Sequence, residues 1–132
     1  MSDAPGSLAL ALIHDVFCEP GGTERLAEQL VEARGAGAEL AVLPELPLDP
    51  WVPCTRQPRD GDAESVEGWR HRALADAART AGIGVLGGAI TRDAGNGRRH
   101  NRALLFDAEG RLVSRYDKLH LPLEEGFWEA DH

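Results

Sequence analysis

Two residues of this sequence, Glu45 and Lys118, have the side chains and the placement for acid–base chemistry. Glu45 directly follows the apolar run Leu40-Ala-Val-Leu43, and Lys118 ends an extended stretch. Lys118 is also the only lysine among 14 basic residues. A partly buried glutamate beside a lysine is a proton acceptor next to a fixed cation. Each residue also has an ordinary alternative role, as a solvated glutamate at a strand end and as half of a surface salt bridge.

The residues around these two supply further candidates. His120 is a candidate base or ligand, although a lone histidine beside a strand end is more often a hydrogen-bonded structural residue. The run Glu124-Glu-Gly-Phe-Trp-Glu129 places three acids and two aromatic rings just past Lys118, either as carboxylates near a site or as a solvated loop. Trp51 and Cys54, in a proline-rich loop after Glu45, either line a pocket or simply pack.

The other motifs of catalysis and cofactor binding do not fit. Gly82-Ile-Gly-Val-Leu-Gly87 spells GxGxxG, but it follows a predicted helix and lies in a predicted strand, whereas a dinucleotide loop follows a strand and opens a helix. The five histidines lack metal-ligand spacing. There is no Gly-x-Ser-x-Gly elbow of a serine hydrolase. We therefore expect no cofactor and no metal.

The composition is that of one soluble, globular domain. The 132 residues include 14 basic and 22 acidic side chains, a net charge of −8, which argues against nucleic acid or an anionic membrane as the main partner. No apolar run approaches the ~20 residues of a membrane span, and no basic flank indicates a secretory leader. Cys18 and Cys54 make no disulfide framework, so we expect a cytoplasmic protein with free thiols.

An α/β framework is predicted to bring these residues together. Short apolar runs predict strands, and apolar residues on one helical face predict two helices. The predicted strands are 8–13, 40–43, 83–90, 101–106 and 111–118, and the predicted helices are 23–34 and about 62–80. This β-α-β-α-β-β-β order predicts a mixed sheet. If strand ends meet at one edge of that sheet, Glu45 and Lys118 share it.

The sequence also predicts helix caps, turns and buried faces. Thr23 is the predicted cap of the first helix, and Ser65 or Asp62 that of the second. Turns are predicted at 93–97 and 107–110. The first strand is predicted to be buried. The inner helix faces are predicted to comprise Leu26, Leu30 and Val31 in the first helix and Val66, Trp69, Ala73, Ala77 and Ala81 in the second.

Two motifs together resemble a known family. Gly37-Ala-Glu-Leu-Ala-Val-Leu-Pro-Glu-Leu46 resembles the first signature of the nitrilase, or carbon–nitrogen hydrolase, superfamily. The run from Asn101 to Gly110, continuing into Arg115-Tyr-Asp-Lys-Leu-His-Leu-Pro122, resembles the second. The resemblance covers nearly the whole chain. The ending His-Leu-Pro, then Gly-Phe-Trp-Glu, looks most like N-carbamoylputrescine amidase and related N-carbamoyl or aliphatic amidase branches.

The resemblance implies an αββα sandwich of the nitrilase type, with a mixed sheet and helices on one face in this amino-terminal half. It also implies a Glu-Lys-Cys triad that hydrolyses non-peptide C–N bonds through an acyl-enzyme. Glu45 matches the general base, and Lys118 the cation that stabilises the tetrahedral intermediate. A second active-site glutamate follows the lysine in many members. Glu129 matches it best, and Glu125 is the other candidate.

The sequence departs from the family pattern at the nucleophile. The family's cysteine lies a few tens of residues beyond the lysine motif, and neither Cys18 nor Cys54 matches it. His14 also stands where the family usually has glutamine. We therefore interpret residues 1–132 as a single hydrolase domain that is incomplete at its carboxyl end and inactive alone.

Two consequences and one alternative accompany this interpretation. Such a chain should expose apolar surface or an unpaired edge strand. Relatives of this kind act on small amide or N-carbamoyl substrates and commonly form homo-oligomers. The alternative is a non-catalytic relative that lacks the nucleophile and binds a partner or an amide-like ligand.

Overall fold

A computed structural model of the protein describes residues 6–50 and 60–121, which form one mixed sheet with two helices. The strands are β1 (Leu10–Leu12), β2 (Leu40–Val42), β3 (Glu64–Ser65), β4 (Gly84–Arg92), β5 (Arg99–Phe106) and β6 (Leu112–Asp117). The helices are α1 (Gly22–Gly35) and α2 (Trp69–Ala81). The sheet order is β1-β2-β4-β5-β6, and β3 pairs with the far end of β4. β1, β2 and β3 run parallel to β4, whereas β5 and β6 continue as antiparallel hairpins.

The predicted element order is confirmed except for the short strand β3. Both turns lie where the sequence placed them, and Gly97 and Gly110 close them with φ of 68° and 77°. These left-handed values favour glycine because it has no Cβ. The hairpins bring the end of β6 back beside the start of β5, where Lys118 follows Asp117.

The two helices pack against each other and share one apolar core with the sheet. Leu26, Leu30 and Ala77 are buried as predicted. Val31, Val66 and Trp69 are exposed, so their predicted burial was wrong. The buried stripe of α1 is narrow (Gly22, Leu26, Leu30 and Ala33), and that of α2 runs through Arg70, Leu74, Ala77 and Ala78. Val66 precedes α2 altogether, and Trp69, the first residue of α2, lies beside the buried stripe, where it lines the groove between α1 and α2 with its ring against the Arg70 guanidinium.

Neither helix is capped by the residue that the sequence predicted. Gly21 caps α1 without a side-chain hydrogen bond, and the Thr23 hydroxyl donates to Glu24 instead. Ser65 and Asp62 lie in β3 and in a 3-10 turn before α2. The Glu64 carboxylate takes their place, accepting hydrogen bonds from the backbone N–H of Arg70 and His71 at 2.8 and 3.0 Å.

The face of the sheet opposite the helices carries exposed apolar side chains. Ala11 and Ile13 pack against the core, but Leu10 and Leu12 are 53% and 78% exposed, so the predicted burial of the first strand was wrong for this face. At the other edge, Tyr116 of β6 is 59% exposed. An apolar run predicts burial on both faces, whereas the helices cover only one. The expected exposed apolar surface is present in the described residues.

Candidate active site

Glu45 lies where the chain leaves the sheet after β2. The backbone N–H of Leu43 donates to the Leu86 carbonyl at 2.9 Å, which keeps the chain in line with the sheet one residue beyond the strand. Leu46 then adopts a left-handed φ of 50°. This conformation costs a non-glycine residue about 1–2 kcal/mol, and packing of the buried Leu46 side chain with Ala63 and Ile90 offsets the cost. The reversal leaves Glu45 at the end of the sheet where β2 ends.

Lys118 reaches the same end of the sheet, because it directly follows the last residue of β6. Its backbone N–H donates to the Asn101 carbonyl at 2.9 Å, which extends the β5–β6 ladder by one residue. Its Nζ donates to Glu45 Oε1 at 2.9 Å, across 73 residues of sequence. The side chains of Glu45 and Lys118 are 51% and 32% exposed, so a ligand can reach the pair. A carboxylate that accepts protons thus touches an ammonium that can face a developing oxyanion.

Asn101 is a site residue to which the sequence reasoning assigned no role. It is buried on β5, and its Nδ2 donates to the same Glu45 oxygen at 2.8 Å. Two donors on one carboxylate oxygen fix the carboxylate's orientation. The available signal was a polar amide at the start of a predicted buried strand, since a buried polar side chain needs a partner.

A cavity of about 260 Å³ opens beside the pair. Its volume suits a small molecule rather than a polymer. Glu45, Lys118 and Asn101 supply its polar side chains. The remaining lining is mostly apolar or glycine: Leu43, Pro44, Leu46, Leu86, Gly87, Gly88, Ala103 and Tyr116, together with Arg102.

Arg102 lies next to Asn101 and is buried in a cluster of polar groups. Its guanidinium donates to Asp117 Oδ1 at 2.6 Å, to Asp93 Oδ1 at 2.9 Å and to Thr91 Oγ1 at 2.8 Å. We call these four residues the Arg102 cluster. Hydrogen bonds from Arg102 are the main cause that lowers the pKa of Asp93 and of Asp117, and the bond to Asp117 is the main cause that raises the pKa of Arg102.

The loop after Glu45 is held by a second buried charged group. Asp49 Oδ1 accepts a hydrogen bond from Arg70 Nε at 2.7 Å, and Arg70 Nη2 donates to the Gly61 carbonyl. Burial raises the pKa of Asp49, and the bonds from Arg70 oppose that shift. The Phe17 N–H donates to the Pro47 carbonyl at 2.7 Å. The backbone on the carboxyl side of Glu45 is therefore tied to α2 and to the β1–α1 connection.

A protein-family profile matches most of the chain, including the residues of this site. The profile of the carbon-nitrogen hydrolase family matches residues 15–132, a range that includes Glu45, Asn101 and Lys118. The chain belongs to the carbon-nitrogen hydrolase family.

Individual members of the family and solved structures agree. The chain is 29% identical over 119 residues to omega-amidase NIT2 of Danio rerio, spanning 86% of this chain and 40% of that protein. A carbon-nitrogen hydrolase of Helicobacter pylori G27 superposes on 92% of this chain and 42% of its own, with a TM-score of 0.75 and 20% identity. An amidase of Nesterenkonia sp. covers 90% of this chain and 45% of its own, with a TM-score of 0.67 and 22% identity. The expected α/β fold of the nitrilase type is confirmed, and the chain spans less than half of each relative.

Of the remaining predicted site residues, the structure describes His120, whose side chain is exposed just beyond the end of β6. Trp51, Cys54, Glu125 and Glu129 lie outside the described residues.

Residues 6–50 and 60–121 contain no group of three or more His, Cys, Asp or Glu side chains arranged to hold a metal ion. Neither described helix combines the length and the apolarity needed to span a membrane.

Proposed function

We propose that this chain supplies the general base and the oxyanion-stabilising cation of a cysteine-dependent hydrolase that cleaves non-peptide C–N bonds. The observation that carries the proposal is the 2.9 Å contact between Lys118 Nζ and Glu45 Oε1 at the mouth of a small cavity. Membership of the carbon-nitrogen hydrolase family supports it.

In the first half-reaction, Glu45 accepts the proton of a thiol as the sulfur attacks the carbonyl carbon of an amide. A free thiol has a pKa of about 8.5, so at neutral pH the attack needs a base close by. The carbonyl oxygen becomes an oxyanion that faces the Lys118 ammonium. Glu45 then returns its proton to the nitrogen, the C–N bond breaks, and ammonia or an amine leaves a thioester behind.

In the second half-reaction, Glu45 accepts a proton from water as the water attacks the thioester. Lys118 again faces the oxyanion, and as the intermediate collapses, the C–S bond breaks, Glu45 returns its proton to the sulfur, and the acid is released. The compact ammonium of lysine suits this role, because the planar fork of arginine would not fit the same space. Asn101 holds Glu45 in one orientation through both steps.

The nucleophile is expected on residues beyond position 132, because neither Cys18 nor Cys54 matches the family's position. In that case the 132-residue chain is inactive alone. The Nesterenkonia amidase supports a thiol mechanism by analogy, since one of its structures shows Michael addition of acrylamide at the active site cysteine. Glu129, or failing that Glu125, would supply the second active-site glutamate.

The substrate is proposed to be a small amide or an N-carbamoyl amine. A cysteine-to-alanine mutant of the Nesterenkonia amidase was solved with butyramide, and the Danio rerio relative is named an omega-amidase. The apolar wall of the cavity beside Glu45 and Lys118 also suits a short aliphatic group, such as the one in butyramide. The N-carbamoyl branch rests on the sequence ending alone. We further propose a cytoplasmic homo-oligomer, as is common among relatives.

Product analysis tests the function. The protein extended along its own reading frame should release ammonia from butyramide or from a succinic acid monoamide, with no carbon dioxide. An N-carbamoyl amine would instead yield carbon dioxide and an amine together with ammonia. The 132-residue chain should release none of these products. Turnover by the short chain that disappears in Cys54→Ser would contradict the missing nucleophile, and an extended protein inert on all three classes would contradict the enzyme.

A further inference from the structure

Lys118 follows the last residue of an edge strand, and this placement raises the question of what holds it against Glu45. Strand β6 pairs only with β5 among the described strands, and most of its residues are exposed. Ends of such strands open easily, because few buried contacts hold them. The backbone hydrogen bond from Lys118 to Asn101 is the last rung of this ladder.

The Arg102 cluster supplies the missing restraint. Arg102 and Asp117 are register partners on β5 and β6. Arg102 Nε and Nη2 both donate to the Asp117 carboxylate, at 2.6 and 3.4 Å, while Thr91 and Asp93 hold the rest of the guanidinium. The Arg102 side chain is only 4% exposed, whereas that of Asp117 is 38% exposed, so the contact is buried on the arginine's side. It clamps the residue immediately before Lys118.

Alternation along the strands separates the clamp from the chemistry. Successive side chains of a strand point to opposite faces, so Asn101 and Arg102 face opposite ways, as do Asp117 and Lys118. Asn101 and Lys118 hold Glu45 on one face. Arg102 and Asp117 join the same two strands on the other face. The two layers fix one backbone from both sides.

We propose that Arg102 is a positioning residue for Lys118: acting through Asp117, it fixes the end of β6 and so holds the Lys118 ammonium against Glu45. The effect of Arg102 on catalysis rests on the proposed function, whereas its effect on the position of Lys118 is a property of the 132-residue chain itself. Without Arg102, the end of β6 opens more often and Lys118 leaves Glu45 for part of the time.

The single lysine makes the test specific. Trinitrobenzenesulfonate reacts with accessible free amines, and the contact with Glu45 engages the Lys118 amine and so slows its reaction. Peptide mass spectrometry separates the Lys118 product from that of the amino terminus. Because the contact is partly exposed, Glu45→Gln should accelerate labelling of Lys118 by no more than about fivefold.

Arg102→Met should raise the labelling rate of Lys118 by about two- to fivefold, within the range set by a partly exposed pair. Asp117→Asn should do the same, and it removes the Asp117 carboxylate, which in Arg102→Met is freed to pair with Lys118 in place of Glu45. The matched control is Arg111→Met, which removes the Arg111–Asp107 ion pair at the opposite end of the same hairpin and should leave the rate unchanged. Circular dichroism checks that each variant is folded.

Each outcome decides the inference. Equal labelling of the wild type, Arg102→Met and Asp117→Asn would overturn it, as would an unchanged rate in Glu45→Gln. If Arg102→Met does not fold, Asp117→Asn carries the test. In the extended enzyme, Arg102→Met should lower kcat more than it raises KM. If Arg102→Met labels faster than the wild type but the extended wild-type protein has no amidase activity, the positioning role stands and the proposed function is rejected.

Discussion

The chemistry proposed for this chain depends on three side chains that meet at one carboxylate oxygen. Lys118 and Asn101 both donate to Glu45 Oε1, at 2.9 and 2.8 Å. They come from two neighbouring strands, and Glu45 comes from the loop after a third. A carboxylate held by two donors stays in one orientation while it exchanges a proton, as a general base must.

Replacing Lys118 by arginine should not preserve the proposed activity. Arginine keeps the positive charge but is planar and larger, so it cannot take the position of a compact ammonium beside Glu45. We expect kcat/KM of the extended enzyme for its best amide to fall by about 100-fold or more, as on loss of an oxyanion donor. Steady-state ammonia release measures this, and activity within threefold of the wild type would contradict the role of Lys118.

Replacing Asn101 should lower kcat less than replacing Glu45 does, and more than replacing a surface residue does. Asn101→Leu removes one of the two donors to Glu45, and we expect kcat to fall by about tenfold, the scale of one lost hydrogen bond to a charged group. Asn101→Asp should be worse because it places a second carboxylate beside Glu45. Asn96→Ala, in the exposed β4–β5 turn, is the control for the same assay. Equal kcat in Asn101→Leu and wild type would remove Asn101 from the site.

The sequence could predict that Glu45 and Lys118 lie at the same end of the sheet because each follows a strand, and the two side chains are in contact. It could not show Asn101 or Arg102 as partners, because their contacts depend on the β5–β6 register. Register places Arg102 opposite Asp117 and directs Asn101 to the other face. A shift of one residue would exchange the two faces, and the register depends on the turn geometry and on the irregularity at Leu105/Phe106, which the sequence reasoning did not resolve.

At the scale of single elements, the β5–β6 hairpin positions Lys118, and its turn is sensitive to one glycine. A Cβ at Gly110 would lie 2.4 Å from the Ala75 carbonyl oxygen of α2, at a φ of 77°. Gly97 has a similar φ of 68° but open space around it. Gly97→Ala should therefore lower the free energy of unfolding by about 1 kcal/mol, and Gly110→Ala by about 2–4 kcal/mol. Urea denaturation measures both, and equal losses would contradict the close packing of the turn on α2.

The Arg102 cluster should make the stability of this hairpin sensitive to acid. Arg102 lowers the pKa of Asp93 and Asp117 in the folded state, and His100 lies between the two carboxylates. Groups with a lowered folded pKa stabilise the fold above the unfolded value of about 3.9, and this contribution disappears as the pH falls through the folded pKa. The wild type should lose this stability below about pH 4, whereas Arg102→Met should show a smaller pH dependence there.

Unfolding in urea between pH 7 and pH 2.5 measures this difference. The gap in unfolding free energy between wild type and Arg102→Met should be largest near neutral pH and should shrink in acid. Arg111→Met provides the comparison for an exposed pair, since Arg111 is 74% exposed. Parallel curves for wild type and Arg102→Met would show that the cluster does not lower the two carboxyl pKa values.

The helix boundaries show where prediction from an element's own residues fails. The start of α2 was placed too early because Asp62 and Ser65 are typical capping residues. The N-cap position is Gly68, and the carboxylate that satisfies the first N–H groups is that of Glu64, whose longer side chain reaches the backbone of Arg70 and His71. A Cβ at residue 68 would lie 2.5 Å from Glu64 Cδ, so the glycine makes room for that carboxylate. This arrangement joins β3 to α2 and has no short sequence signature.

At the scale of the whole molecule, the described sheet has one covered face and one open face. Leu10 and Leu12 at one edge and Tyr116 at the other are at least half exposed. The 132-residue chain should therefore self-associate. Sedimentation velocity should show an average mass that rises with concentration, and Leu12→Gln should reduce the association. The control is Val31→Gln, which replaces an exposed apolar residue on α1 and should have little effect on the association. A monodisperse monomer at all concentrations would contradict the prediction.

The most direct test of the catalytic pair is a double-mutant cycle on the extended enzyme. The quantity is kcat/KM for the best amide in the wild type, Glu45→Gln, Lys118→Met and the double mutant. If Glu45 and Lys118 act together on one C–N bond, each single change should cost about 10³-fold, and the double mutant should lose little more than either. Losses that multiply in the double mutant, or a single mutant as active as the wild type, would contradict their joint action.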